Sequence, residues 1–236
     1  MRRLVLLAAI GLFATGLAAG SSAASRAADM SPGGTLRAFV EAAGKGDAPR
    51  MWGLLSQQSQ RRLGPDLARF RKGAAVELTQ RVGAFARSGG YKVGLSEQLS
   101  ESWAIAVITG RRPVNGRAEA GAYGVALRGK GATWRLELGG PVRLRILGPR
   151  AGEAIAQPAP QTAVEVKAPT AIEGTILYAD GKPVDARSGG TSPSAITFFG
   201  NATGVKAKGM HFAAAIAATA TEGSAIAWAF RLVPAK

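Results

Sequence analysis

The chain has 236 residues, 47% of them hydrophobic, which suffices for one large domain or two small ones and excludes disordered and collagen-like chains. It contains no cysteine and one histidine, His211, so disulfides, thiolate zinc sites, cysteine nucleophiles and histidine pairs are excluded. The formal charge of +15 is uneven: residues 28–152 carry 20 basic and 9 acidic side chains, whereas residues 153–236 carry 7 and 6. A field of that size in the first half is either that of an arginine-rich solvated face or a means of contact with polyanions.

Residues 1–27 read as a secretory signal peptide. Arg2 and Arg3 precede 16 almost unbroken apolar residues, Leu4 to Ala19, and small residues follow from Gly20 to Ala28. The run is shorter than the ~20 residues of a comfortable membrane span. The expected location is therefore extracytoplasmic, either secreted or in a bacterial periplasm or cell envelope.

Residues 28–149 open with three predicted helices. Ser31 is placed to cap the first, with Pro32 at its first position and Leu36, Phe39, Val40 and Ala43 on one face before Gly44 and Gly46. Asp47 caps a second that turns Met51, Leu54 and Leu55 inward. In the third, Leu67, Phe70, Ala74, Leu78, Val82 and Phe85 recur at helical spacing until Gly89 and Gly90. From Tyr91 the period becomes two: Trp103, Ile105 and Val107, then Tyr123, Val125 and Leu127, then Trp134, Leu136 and Leu138, and finally Val142, Leu144 and Ile146. The last two strands turn Arg135, Glu137, Arg143 and Arg145 to the other face. This predicts an antiparallel meander with one face covered by helices, an α+β plan.

Helices followed by four or more antiparallel strands, with the Gly46-Asp47 step before Trp52-Gly-Leu-Leu-Ser56 and the Thr133-Trp-Arg-Leu136 strand, resemble the SnoaL-like, or nuclear-transport-factor-2-like, cone fold. That family includes enzymes, small-ligand binders and exported domains without chemistry, so the resemblance implies a fold and leaves function open.

Residues 150–162, with two prolines, read as an extended linker. From residue 163 to 236 short alternating strands are expected, with turns at Asp180-Gly181 and Glu222-Gly223 and a last strand presenting Ile226, Trp228, Phe230 and Leu232. Gly209-Met-His-Phe212, the glycine turn and the aromatic closing strand resemble bacterial immunoglobulin-like β-sandwich domains, which implies a spacer or a module for protein partners. His211 has no carboxylate near it in sequence and is expected to hydrogen-bond an adjacent turn.

The nucleophile elbow, the Ser-x-x-Lys pair and the glycine-rich phosphate loops are all missing from the sequence, so no cofactor is implied. Trp52, Tyr91, Trp103 and Tyr123, with Glu119, are the candidate ligand-binding residues, because they come from the elements that would wall the cone. Such rings either fill the core of the cone or line a pocket, which would take a small apolar ligand. Arg128, Arg135, Arg143 and Arg145 are the candidate contacts for an anionic envelope polymer. Aromatic rings do not interleave with these arginines, which argues against specific nucleic-acid recognition. The expected function is that of an exported, non-enzymatic binding protein; the alternative is a lyase, isomerase or hydrolase using a carboxylate such as Glu119 inside the cone.

Overall fold

The computed structural model describes residues 31–114, 116–130, 133–156, 161–192, 195–201 and 208–234; the expected signal segment, 1–27, lies outside the described residues. In place of three helices there are, among the described residues, six: α1 (Pro32–Lys45), α2 (Ala48–Gly53), α3 (Gln57–Leu63), α4 (Leu67–Lys72), α5 (Ala74–Arg81) and α6 (Gly83–Arg87), all but the first of eight residues or fewer. The start of α1 is the predicted one. Ser31 accepts a hydrogen bond from the Gly34 amide, Pro32 occupies the first turn, and Gly46 ends the helix at φ 67°.

The second expected helix divides where Leu55 bridges to Leu136, and Ser56 then caps α3 through the Ser59 amide. The third divides at Gly73 and again at Val82–Gly83. Close contact explains the glycine at 83: a Cβ there would stand 2.5 Å from the Ala43 carbonyl oxygen, so its absence lets α6 lie against α1. Leu67, Phe70, Ala74, Leu78, Val82 and Phe85 nevertheless pack into one core with α1.

Four strands, β1 (Lys92–Gln98), β2 (Trp103–Val114), β3 (Arg117–Lys130) and β4 (Thr133–Glu137), form the first sheet, antiparallel in that order. The chain then leaves it. Strand β5 (Arg143–Gly148), expected to continue the same meander, instead pairs antiparallel with β7 (Gln161–Lys167), matching Arg143 to Lys167 and Arg145 to Glu165. The crossing occurs at Gly139–Val142, where Gly139 adopts φ 68°. A glycine-rich step serves a change of sheet as well as a hairpin, and the alternation on either side is the same in both cases.

The second sheet is ordered β10 (Ala186–Ser192), β11 (Ala195–Asn201), β7, β5. The third runs β6 (Ala154–Ala156), β13 (Gly223–Val233), β12 (Gly209–Ala218), β8 (Gly174–Ala179), β9 (Lys182–Val184). Strand β6 falls within the segment expected as linker and pairs parallel with β13 from Arg231 to Val233. The Asp180-Gly181 turn joins β8 to β9 with both residues at positive φ, 49° and 79°. The architecture is α+β, with all other sheet pairings antiparallel among the described strands.

Three apolar cores set the layers. The helices cover one face of the first sheet through Ala104, Ala106, Ile108, Val125, Leu127, Trp134 and Leu136. The opposite face, with Ile105, Val107 and Ala126, meets Tyr178, Ala214, Ile216 and Ala227 of the third sheet. Beyond that seam, Trp228, Phe230 and Leu232 of the third sheet face Val142, Val164 and Val166 next to and within the second. The order is therefore helices, first sheet, third sheet, second sheet. The expectation of a meander with one covered face is overturned, because the first sheet is buried on both sides. Strand β3 approaches β13 so closely that a Cβ on Gly124 would lie 3.0 Å from the Ala227 nitrogen.

Candidate functional site

Three of the four candidate aromatic residues, Trp52, Tyr91 and Tyr123, pack against the helix-side core, and Trp103 lies across the sheet from them. Trp52 lies on α2 and packs against Phe70, with ring centroids 5.1 Å apart. Tyr91 precedes β1; burial chiefly, and then Glu41 of α1, push its hydroxyl above the ordinary tyrosine range. Trp103 is on the seam side of β2, opposite Arg128 in the β2–β3 ladder, whereas Tyr123 is opposite Ile108 on the helix side. Their grouping assumed that the larger residues of β2 face the helices. Ala104 and Ala106 do so instead. The space between helices and sheet is filled by Leu36, Phe39, Phe70, Phe85, Ile108 and Leu127, all fully buried. Glu119 is exposed on β3, opposite Arg112, and lines none of the clefts described below.

The arginines are divided as well. Arg128 stacks its guanidinium 4.6 Å over the Trp103 ring and donates to Gln58 Oε1 at 3.3 Å and to the Thr221 carbonyl. Arg135 is exposed on β4 of the first sheet. Arg145, on the second, donates to Glu165 Oε2 at 2.9 Å and holds that carboxyl below its ordinary range. Shared parity placed these side chains on one face only as long as β4 and β5 belonged to one sheet.

Arg143 does enter a shaped site. A groove of about 370 Å³ opens where α5, β3, the Gly139–Val142 crossing and β13 meet, walled by Arg81, Arg112, Tyr123, Glu137, Arg143 and Ser224 among others. A second recess of about 370 Å³ shares Arg81, Tyr123, Leu138, Gly139 and Arg143 with it, and extends it between α5 and the crossing. Three arginines from three different elements thus line one groove. Arg81 also forms an exposed ion pair with Glu77 at 2.6 Å. Burial, reinforced by Glu77 and opposed by Arg81, raises Tyr123 from 10.0 to about 12, so its hydroxyl remains a neutral donor at physiological pH.

Glu137 is the residue the alternation misplaced. Its side chain, expected on the open polar face, is 0% exposed. Oε1 accepts from Arg62 Nη1 at 3.1 Å and from Ser59 Oγ at 3.4 Å. Oε2 is buried with no hydrogen-bond partner among the described residues, as is Arg112 Nε. Arg62 also pairs with Glu222, in the turn between β12 and β13, and so ties α3 and β4 to the third sheet. Arg81 and Glu137 could not have been chosen for this site from periodicity, since neither sits in a motif and the crossing brings them to the groove from elements far apart in sequence.

A second cleft, of about 610 Å³, lies along the seam and is walled by Lys92, Thr109, Arg111, Asp180, Met210 and His211 among others. Here the structure supplies the carboxylate that sequence proximity could not. His211 Nδ1 is 2.6 Å from Asp180 Oδ2, and Asp180 Oδ1 accepts from the Phe212 amide at 3.0 Å. Asp180 is thus both a turn residue and the histidine's partner.

No family model matches the chain, and no curated protein matches it. Among solved structures, an endo-β-1,4-mannanase from Thermotoga petrophila aligns at 10% identity over 40% of this chain and 20% of its own, with a TM-score of 0.31. At that score the likeness carries no weight for fold or function. No helix among the described residues is long and apolar enough to cross a membrane.

Proposed function

We propose that this is an exported, non-enzymatic binding protein that holds an anionic group in the groove between its helices and its third sheet. Export is supported by the order of Arg2 and Arg3, the apolar run and the small residues after it. We read the helices with the first sheet as a SnoaL-like cone, and the second and third sheets as an immunoglobulin-like sandwich. The order of elements and the apolar core between the two facing sheets support that reading.

The observation that carries the function is the meeting of Arg81, Arg112 and Arg143 with Tyr123 along one groove. Guanidinium groups are protonated at all relevant pH values and present paired donors suited to carboxylate or phosphate oxygens. Such a set binds and orients; it offers no group poised to take a proton or attack a carbon. An anionic polymer of the envelope would engage the same groove through one of its charged groups, with Arg135 exposed nearby in sequence but on a different strand from Arg143.

The test is titration of residues 31–236 with inorganic phosphate at low ionic strength, followed by calorimetry. Saturable binding is expected, weakened at least tenfold in an Arg112→Gln/Arg143→Gln double variant and unchanged in Arg135→Gln. Equal binding by the double variant would overturn the assignment.

A further inference from the structure

The second sheet carries a basic face beside the groove. Leu144 and Ile146 of β5, Val164 and Val166 of β7 and Phe198 of β11 pack into the core that this sheet shares with the third. The residues that alternate with them are turned outward. They are Arg143 and Arg145 on β5, Glu165 and Lys167 on β7, Phe199 on β11 and, by its pairing with Phe199, Arg187 on β10. Arg143 and Arg187 are exposed, the side chains of Arg145 and Lys167 are 69% and 62% exposed, and Phe199 is partly exposed.

Charge is unevenly placed on this face. Arg143, Arg145 and Lys167 cluster on β5 and β7, about 5 Å apart between strands and about 7 Å apart along one. Glu165, the acid among them, is already shared by Arg145 at 2.9 Å and Lys167 at 3.5 Å. Arg187 stands apart on the outermost strand, three strands from β5 and hence about 14 Å away. Phe199 lies next to Arg187 in register and belongs to none of the three apolar cores. Arg143 also walls the groove, so groove and face are continuous.

Resting on the anion-binding reading, we infer that this face binds an acidic polysaccharide, whose chain runs from the groove across the sheet toward Arg187. The spacing of the charges favours that class. A polymer charged on every backbone unit, such as a nucleic acid, would set charged units over the middle of the sheet, where no cation answers them. A polysaccharide whose carboxylates are separated by neutral rings brings one carboxylate to the cluster on β5 and β7 and another to Arg187, each held by the paired donors of a guanidinium. The C–H face of a neutral ring between them packs on the Phe199 ring. One aromatic residue suffices for that contact, whereas successive stacked bases need several.

The test is calorimetric titration of the protein with a hyaluronan oligosaccharide, in which every second ring carries a carboxylate. Saturable binding that weakens with added salt is expected. It should fall at least tenfold in Arg145→Gln/Arg187→Gln and in Phe199→Leu, which keeps an apolar side chain and removes the ring. None of these residues walls the groove, so both variants should bind inorganic phosphate as the parent protein does. Oligothymidylate of the same charge should bind more weakly than hyaluronan and be indifferent to Phe199→Leu.

Phosphate binding without hyaluronan binding would overturn this inference and leave the anion-binding reading standing, as would hyaluronan binding that both variants retain. Failure of phosphate and hyaluronan alike would remove both. Tighter binding of oligothymidylate, weakened by Phe199→Leu, would assign the face to nucleic acid instead. Sedimentation with phosphatidylglycerol vesicles, lost in the arginine variant and unaccompanied by hyaluronan binding, would assign it to a membrane surface. Should Phe199→Leu fail to fold, the arginine variant decides the matter.

Discussion

Burial around Tyr123 outweighs the attraction of Arg81, and the hydroxyl is raised to about 12. Tyr91 and Tyr178 are also raised, each by burial first. Because the folded protein holds these protons more tightly than the unfolded chain, the unfolded state loses them first as pH rises. Their stabilisation is complete below about pH 10 and declines above it, for Tyr123 across the interval up to about 12. Denaturant midpoints between pH 8 and 12 should therefore fall steadily above pH 10 in the parent protein and less steeply in Tyr123→Phe. Identical slopes would mean that the Tyr123 hydroxyl is solvated. Glu137 marks the limit of sequence reading at this scale. Alternation with Leu136 and Leu138 sends it to the far side of a strand, but nothing local states that a crossing chain and a third sheet cover that side.

Elements were legible where the signal is local. Ser31-Pro32 and Gly46 bracket α1, Asp47 caps α2, and Asp180-Gly181 makes its hairpin, because caps and turns are specified by the residues that form them. The breaks between α4, α5 and α6 were not legible, since the apolar spacing runs through them without a change of phase. Strand pairing was illegible for a related reason: β5 alternates equally well beside β4 or beside β7. Gly83 offers a test at this scale. Helix propensity alone favours alanine there by ~1 kcal/mol. A Cβ, however, would press within 2.5 Å of the Ala43 carbonyl oxygen, and a backbone atom in a packed core cannot move aside cheaply. Gly83→Ala should therefore lose about 1–3 kcal/mol in urea unfolding, the cost of an overpacked contact. A gain would show that α1 and α6 are free to separate.

Across the whole molecule, the seam of Ile105, Val107 and Ala126 against Tyr178, Ala214 and Ile216 makes the two halves one packed body, and the groove exists because they meet. Ile216, 2% exposed, should cost about 2–5 kcal/mol when cut to alanine, and the loss should appear in the unfolding of the entire chain. Loss confined to a separate transition of the second half would place little energy in the seam. The candidate site was legible only in part. The excess of arginine in the first half is plain from composition, and Arg143 was among the residues chosen, but the residues that join it come together only through the sheet change at Gly139–Val142 and the contact with β13. The most direct measurement is calorimetric unfolding of residues 31–236 with and without phosphate. One cooperative transition is predicted, shifted upward as a unit, by about 2.7 kcal/mol at a hundred times Kd, and by no more than about 1.4 kcal/mol at the same phosphate concentration in Arg112→Gln/Arg143→Gln. Two independent transitions, or a shift in the double variant equal to that of the parent protein, would contradict a groove built jointly by the two halves.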